Sequence, residues 1–161
     1  MPLLKISENK FPDWCEAKRI TQLSIEPNSA TEITKSFSKY ALFVISGECS
    51  IRVNGDERVF EENDSLFSDK QNITIKSSNH RTELVLIEGI WGDEIGGSAL
   101  FKMSKHSTPR NIGDSVDYPR TNDFDNHYHD FDEFWIILKG SGLAVSEGVK
   151  YKFTGGDITA T

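Results

Sequence analysis

The sequence predicts an all-β chain that contains a tandem repeat. Three observations carry that expectation. Short segments of alternating polarity, separated by turn residues, fill most of the 161 positions. Asn54-Gly55 is a two-residue hairpin signal, because both central positions of a type I′ turn need positive φ. The punctuation of residues 40–64 recurs 93 positions later.

The strand candidates, in order, are residues 23–25, 31–37, 40–45 ahead of Gly47, and 49–53. After Asn54-Gly55 come 58–60, 65–67, 73–76 and 83–87. Turns at short intervals are the spacing of a sandwich or barrel. Only residues 13–20, DWCEAKRI, have a pattern that would hold a helical turn. Residues 104–126 are polar and carry Pro109, Gly113 and Pro119, which predicts a linker and an irregular approach to the next strand.

The repeat needs no gap. At an offset of 93, YALFVISG ending at Gly47 falls on EFWIILKG ending at Gly140. Gly55 falls on Gly148, Phe60 on Phe153, and Asn63-Asp64 on Gly156-Asp157. The expected organisation is a first copy over 1–103, a linker and approach strand over 104–126, and the start of a second copy over 127–161. Thr161 is the counterpart of Ser68, so the second copy stops before the strands that close the first. Those strands are expected from elsewhere in the fold, from a partner chain, or from a longer protein. Open strand edges invite pairing, and a homodimer is the expected assembly.

Composition narrows the function classes. Hydrophobic residues make up 37% and charged residues 27%, a globular balance. The net charge of −7 disfavours nucleic acid and anionic lipid as partners. No apolar run approaches the roughly 20 residues of a membrane span, and MPLLKISENKF has no secretory h-region. A cytoplasmic location is the expectation. Cys15 and Cys49 lack CxxC spacing and read as buried or half-buried thiols of a reducing compartment. There is no GxSxG, P-loop or Rossmann glycine pattern.

The chemistry lies in His127-Tyr128-His129-Asp130-Phe131-Asp132-Glu133. Residues two apart on a strand share a face, so His127 and His129 point the same way. Glu133 starts the next strand after a short turn, and antiparallel neighbours bring its carboxylate toward the imidazoles. Two imidazole nitrogens and one carboxylate oxygen suit Fe, Mn, Ni or Zn as divalent ions, with positions left open for a ligand. Asp130 and Asp132 are candidate outer acceptors for the ring N–H groups. Tyr128 alternates away from the pair. Phe131 and Trp135 read as filling, and His80 and His106 as surface residues.

The pattern H-x-H-x3-E-x6-G from His127 to Gly140 resembles the first signature motif of the cupins, the RmlC-like jelly rolls. Thr121 stands where the family pattern opens with Gly. Gly156-Asp157 matches the opening of the second motif, whose further His would lie beyond Thr161. The resemblance implies a cupin-type jelly-roll β-barrel, or double-stranded β-helix, in a two-cupin arrangement with the second copy incomplete. It implies His127, His129 and Glu133 as ligands of a divalent metal. The corresponding positions of the first copy are Thr34, Ser36 and Tyr40, so that copy is expected to be metal-free. The implied activities are those of a metal-dependent oxygenase, isomerase or lyase on a small polar metabolite. The alternative is a non-catalytic module that binds a small molecule or serves assembly. No general acid or base and no further cofactor is named.

Overall fold

The computed structural model describes residues 3–70, 72–92, 101–102, 110–111, 133–146 and 148–160. Among them stand fifteen strands and no helix: β1 Leu3–Lys5, β2 Ala17–Ile25, β3 Ala30–Thr34, β4 Lys39–Ser46, β5 Glu48–Val53, β6 Asp56–Glu61, β7 Ser65–Ser68, β8 Asn72–Ser77, β9 Thr82–Gly89, β10 Phe101–Lys102, β11 Arg110–Asn111, β12 Phe134–Ile136, β13 Ser141–Ser146, β14 Val149–Thr154 and β15 Asp157–Ala160.

Strands β2 to β9 form a long ribbon folded on itself. β5 pairs with β6, β4 with β7, β3 with β8 and β2 with β9, all antiparallel. Two further pairings, β4 with β9 and β5 with β8, gather the ribbon into sheets ordered β2-β9-β4-β7 and β3-β8-β5-β6. Nested antiparallel pairs in two four-stranded sheets are the topology of a jelly roll. The two sheets remain separate among the described residues, so the expected closed barrel is replaced by a sandwich.

Period-two alternation explains the core. Tyr40, Leu42 and Val44 of β4 and Leu84 and Leu86 of β9 face Cys49 and Ile51 of β5, Phe60 of β6 and Ile73 and Ile75 of β8. Alternate residues of the first sheet build a second cluster on its other face. Ile20 and Val85 bury against Ile158, with Leu4, Phe134, Ile136 and Leu138 packed around them. These last residues belong to or follow strands of a third layer, a three-stranded sheet ordered β1-β15-β12. The sheet β2-β9-β4-β7 is therefore apolar on both faces, which explains the near-continuous apolar run of β9.

The offset of 93 residues recurs in the backbone. Ala41↔Phe67, Leu42↔Leu66 and Phe43↔Ser65 become Phe134↔Ala160, Trp135↔Thr159 and Ile136↔Ile158. Glu48↔Glu61 becomes Ser141↔Thr154. Gly47 and Gly140 take φ of 86° and 90°, and Asn63 and Gly156 take 78° and 90°. Asn54 and Gly55 have φ of 51° and 95°, as a type I′ turn requires.

Two expectations are corrected. Residues 17–20 are strand, not helix. Ile20 and its neighbours pair along β9, and Ile20 is fully buried, so tertiary pairing overrides the local pattern. Only Pro12–Cys15 form a turn, closed by Cys15 N–H donating to Pro12 C=O at 3.0 Å. Strand 31–37 ends at Thr34, because Ser36 donates its N–H to the Glu88 side chain rather than to a neighbouring strand.

Candidate functional site

Of the three candidate ligands, His127 and His129 lie outside the described residues, as do Tyr128, Asp130, Phe131, Asp132 and His106. Glu133 is half-buried and directly precedes β12. Its strand is held in place from both sides. Phe134 and Ile136 pack into the cluster beneath, with Phe11 edge-on to Phe134 at 6.3 Å between ring centroids. Ile137 N–H donates to Asp157 C=O at 2.9 Å, and Gly156 N–H to Ile137 C=O at 2.8 Å. By alternation Glu133, Trp135 and Ile137 lie on the face of β12 away from that cluster. Trp135 is 45% exposed, so it does not fill an interior as expected.

Asp157 fixes the turn beside this strand. It is almost fully buried and accepts Thr154 N–H at 2.7 Å. Lys5 reaches it from β1 and forms an ion pair. The Lys5 hydrogen bond, then the Thr154 N–H, hold its carboxyl below the usual range. An open groove of about 540 Å³ lies alongside, lined by Lys5, Asn9, Thr21, Gln22 and Gly156 among others.

The positions 93 residues before the candidate ligands show what the first copy carries in their place. Thr34 closes β3, Ser36 sits in the β3–β4 turn, and Tyr40 lies on the inner face of β4. A polar row crosses the sheet here. Arg19 is the cross-strand partner of Glu88, Glu88 of Tyr40, and Tyr40 of Ser68. Glu88 is only 2% exposed. Its Oε1 accepts Ser36 N–H at 2.6 Å, and Arg19 Nη1 lies 3.5 Å from its Oε2. Arg19 also donates to Ser36 Oγ at 2.7 Å, and its guanidinium carbon lies 5.9 Å from the Phe37 ring centroid.

Tyr40 is fully buried. Burial pushes its phenol up, which the Ser68 hydroxyl partly offsets. Sequence reasoning missed Arg19 and Glu88. The available signal was Glu88 itself, a carboxylate that continues the alternation of Leu84 and Leu86 on the core-facing register of β9.

Both cysteines are free and buried. Burial pushes the Cys49 thiol up to about 11, so the free thiol is protonated near neutral pH and is a poor nucleophile. His80 is exposed, as expected. Among the described residues, no group of three His, Cys, Asp or Glu side chains is placed to hold a metal. Nor is any helix there long and apolar enough to cross a membrane.

No family model matches the chain. Solved structures similar to it include a cupin superfamily protein from Desulfitobacterium hafniense, 14% identical, with a TM-score of 0.41 over 55% of this chain and 76% of that one. The cupin domain of an XRE-family transcriptional regulator from Enterobacter cloacae is 18% identical, with a TM-score of 0.39 over 43% and 78%. The cupin domain of Schizosaccharomyces pombe Cnp3 is 8% identical, with a TM-score of 0.43 over 50% and 57%. The jelly-roll assignment stands on the strand order. In sequence, the uncharacterized protein y4oW of Sinorhizobium fredii is 32% identical over 158 residues, covering 96% of this chain and 72% of that protein. At that identity and coverage, the chain belongs to the family of y4oW.

Proposed function

We propose that the chain is a two-cupin protein whose second copy binds a divalent metal through His127, His129 and Glu133, while its first copy is a metal-free jelly roll. One observation carries the reading. The register and turn geometry of β4 to β7 recur in β12 to β15, which supports reading Glu133, directly before β12, as the counterpart of Tyr40. Tyr40 points into the jelly-roll interior, and a carboxylate at the equivalent place would point into the second interior. Two imidazoles and a carboxylate fit Fe, Mn, Ni or Zn chemistry. A metal so held would act as a Lewis acid toward a small polar ligand with two oxygens.

Oxygenase, isomerase and lyase activities are the reactions in view, and a homodimer through strand edges is the assembly in view. The test is a calorimetric titration of metal-stripped chain with Mn(II) or Zn(II). Saturable binding that weakens at least tenfold in Glu133→Gln and His127→Ala is the expected result. No binding in the wild type contradicts the reading.

A second reading keeps the metal and drops the turnover. The apolar core of the first copy supports it, because that copy carries Thr34, Ser36 and Tyr40 where the second carries its candidate ligands. Turnover lost in His127→Ala indicates an enzyme. Saturable small-molecule binding without product indicates a binding module.

A further inference from the structure

We infer that residues 100–102 add as a strand to the outer edge of β7 in the same chain, and that Lys102 pairs with Asp64 there. The inference rests on the tandem repeat in the reading above and not on its metal.

The segment is a second β1 in sequence. Leu3-Leu4-Lys5-Ile6-Ser7 recurs 97 positions later as Leu100-Phe101-Lys102-Met103-Ser104, and Pro12 recurs as Pro109. β1 is the strand that covers β15, with Leu3 opposite Thr159, Leu4 opposite Ile158 and Lys5 opposite Asp157. β15 in turn repeats β7, in its pairing and in its turn. Among the described residues β7 is the outer strand of its sheet, and β10 pairs along one edge, with β11. The repeat therefore shows one edge with its strand in place, and the same edge again without it.

The two edges have the same backbone. Val44 N–H donates to Asp64 C=O at 2.9 Å, and Asn63 N–H to Val44 C=O at 3.0 Å. Ile137 N–H donates to Asp157 C=O at 2.9 Å, and Gly156 N–H to Ile137 C=O at 2.8 Å. Backbone groups alternate in direction along an antiparallel ladder. Ile158 therefore turns its N–H and C=O away from β12 and toward Leu4, and Ser65 turns its own away from β4. The register of β1, carried over, sets Leu100 opposite Leu66, Phe101 opposite Ser65 and Lys102 opposite Asp64.

The residue types suit that register. Lys5 forms an ion pair with Asp157. Asp64 makes the same turn as Asp157 and is exposed, and Lys102 supplies the same cation. Leu4 and Ile158 are exchanged for a larger and a smaller residue, Phe101 and Ser65, so the combined bulk is kept. Ser65 is the cross-strand partner of Phe43, whose ring meets Phe67 edge-on at 5.6 Å between centroids. Phe101 extends that aromatic row.

The chain reaches. β9 neighbours β4 and β4 neighbours β7, so a strand beyond β7 lies three spacings from β9, about 14 Å. Gly89 pairs with Lys39, and Tyr40 with Ser68, so β9 finishes at the end of the sheet where β7 finishes. Ten residues, 90–99, bridge the gap, and an extended chain of that length spans up to about 33 Å.

The experiment traps the pairing in the full chain. Ser65→Cys and Phe101→Cys are combined, the protein is oxidised with diamide, and disulfides are mapped by non-reducing peptide mass spectrometry, which separates them from Cys15 and Cys49. Directly opposed residues of this kind stand about 5.5 Å apart between Cα atoms, within disulfide range. Most of the protein is expected to link positions 65 and 101 within one chain. Phe67→Cys with Phe101→Cys, two residues out of register, is expected to stay reduced. The inference is overturned if the first pair does not link while the circular dichroism spectrum is that of the wild type, if both pairs link equally, or if the link joins two chains. Should the cysteine variants not fold, Lys102→Met and Asp64→Asn decide. Each is expected to lower the melting temperature, and the two together no further than either alone. Additive effects, or none, overturn the pairing. Failure of the metal reading alters none of these outcomes.

Discussion

Asp64 and Asp157, 93 positions apart, make the same turn in the same way. Asp64 Oδ2 accepts Glu61 N–H at 2.8 Å, and Asp157 Oδ2 accepts Thr154 N–H at 2.7 Å. Each aspartate stands just beyond a positive-φ residue, Asn63 or Gly156. They differ in surroundings. Asp64 is exposed, whereas Asp157 is buried under β1 and paired with Lys5.

That difference predicts a pH dependence. The Asp157 carboxyl is held below its usual range in the folded chain. Its contribution to stability is full above the unfolded-state value of about 3.9 and is lost as pH falls through the lower folded value. Thermal unfolding followed from pH 7 to pH 2 should show a midpoint that drops below about pH 4. Asp157→Asn should be less stable at pH 7 and should flatten part of that drop. Equal acid sensitivity in wild type and variant would remove Asp157 from the account.

The third layer should matter to the stability of the first jelly roll. Ile158 is fully buried between β15 and the outer face of β9 and β2. Ile158→Ala should cost about 2–5 kcal/mol in denaturant unfolding. Leu143→Ala, at a half-exposed site, should stay within about 0.5 kcal/mol. A small effect at Ile158 would mean that the layers unfold separately.

Two turn glycines should behave differently. A Cβ on Gly47 would lie 2.6 Å from the Arg81 carbonyl oxygen, at a φ of 86°. A Cβ on Gly148 would meet nothing, at a φ of 76°. Gly148→Ala should therefore cost only the left-handed backbone penalty of about 1–2 kcal/mol. Gly47→Ala should cost clearly more, because backbone must move. Denaturant unfolding of both variants measures the gap, and equal costs would contradict the close approach.

Much of this was legible from local signals. Asn54-Gly55 specified its hairpin, and the spacing of Gly47, Gly140, Gly55 and Gly148 marked positions where the chain needs positive φ. What local signals do not carry is long-range pairing. β1 is three residues, Leu3–Lys5, with no pattern of its own, and it becomes a strand only beside β15. Residues 17–20 follow β9 for the same reason. At the site, spacing alone picked out His127, His129 and Glu133, of which the described structure contains Glu133. The row from Arg19 to Ser68 was invisible because its members are spread over four strands and meet only through register.

The metal content of the purified chain tests the central claim most directly. Plasma mass spectrometry should find near-stoichiometric Fe, Mn, Ni or Zn in the wild type, and His127→Ala and Glu133→Gln should lose it. Wild-type protein that stays metal-free after reconstitution with each of the four cations would contradict the account. The second copy would then be an assembly or binding module without a metal centre.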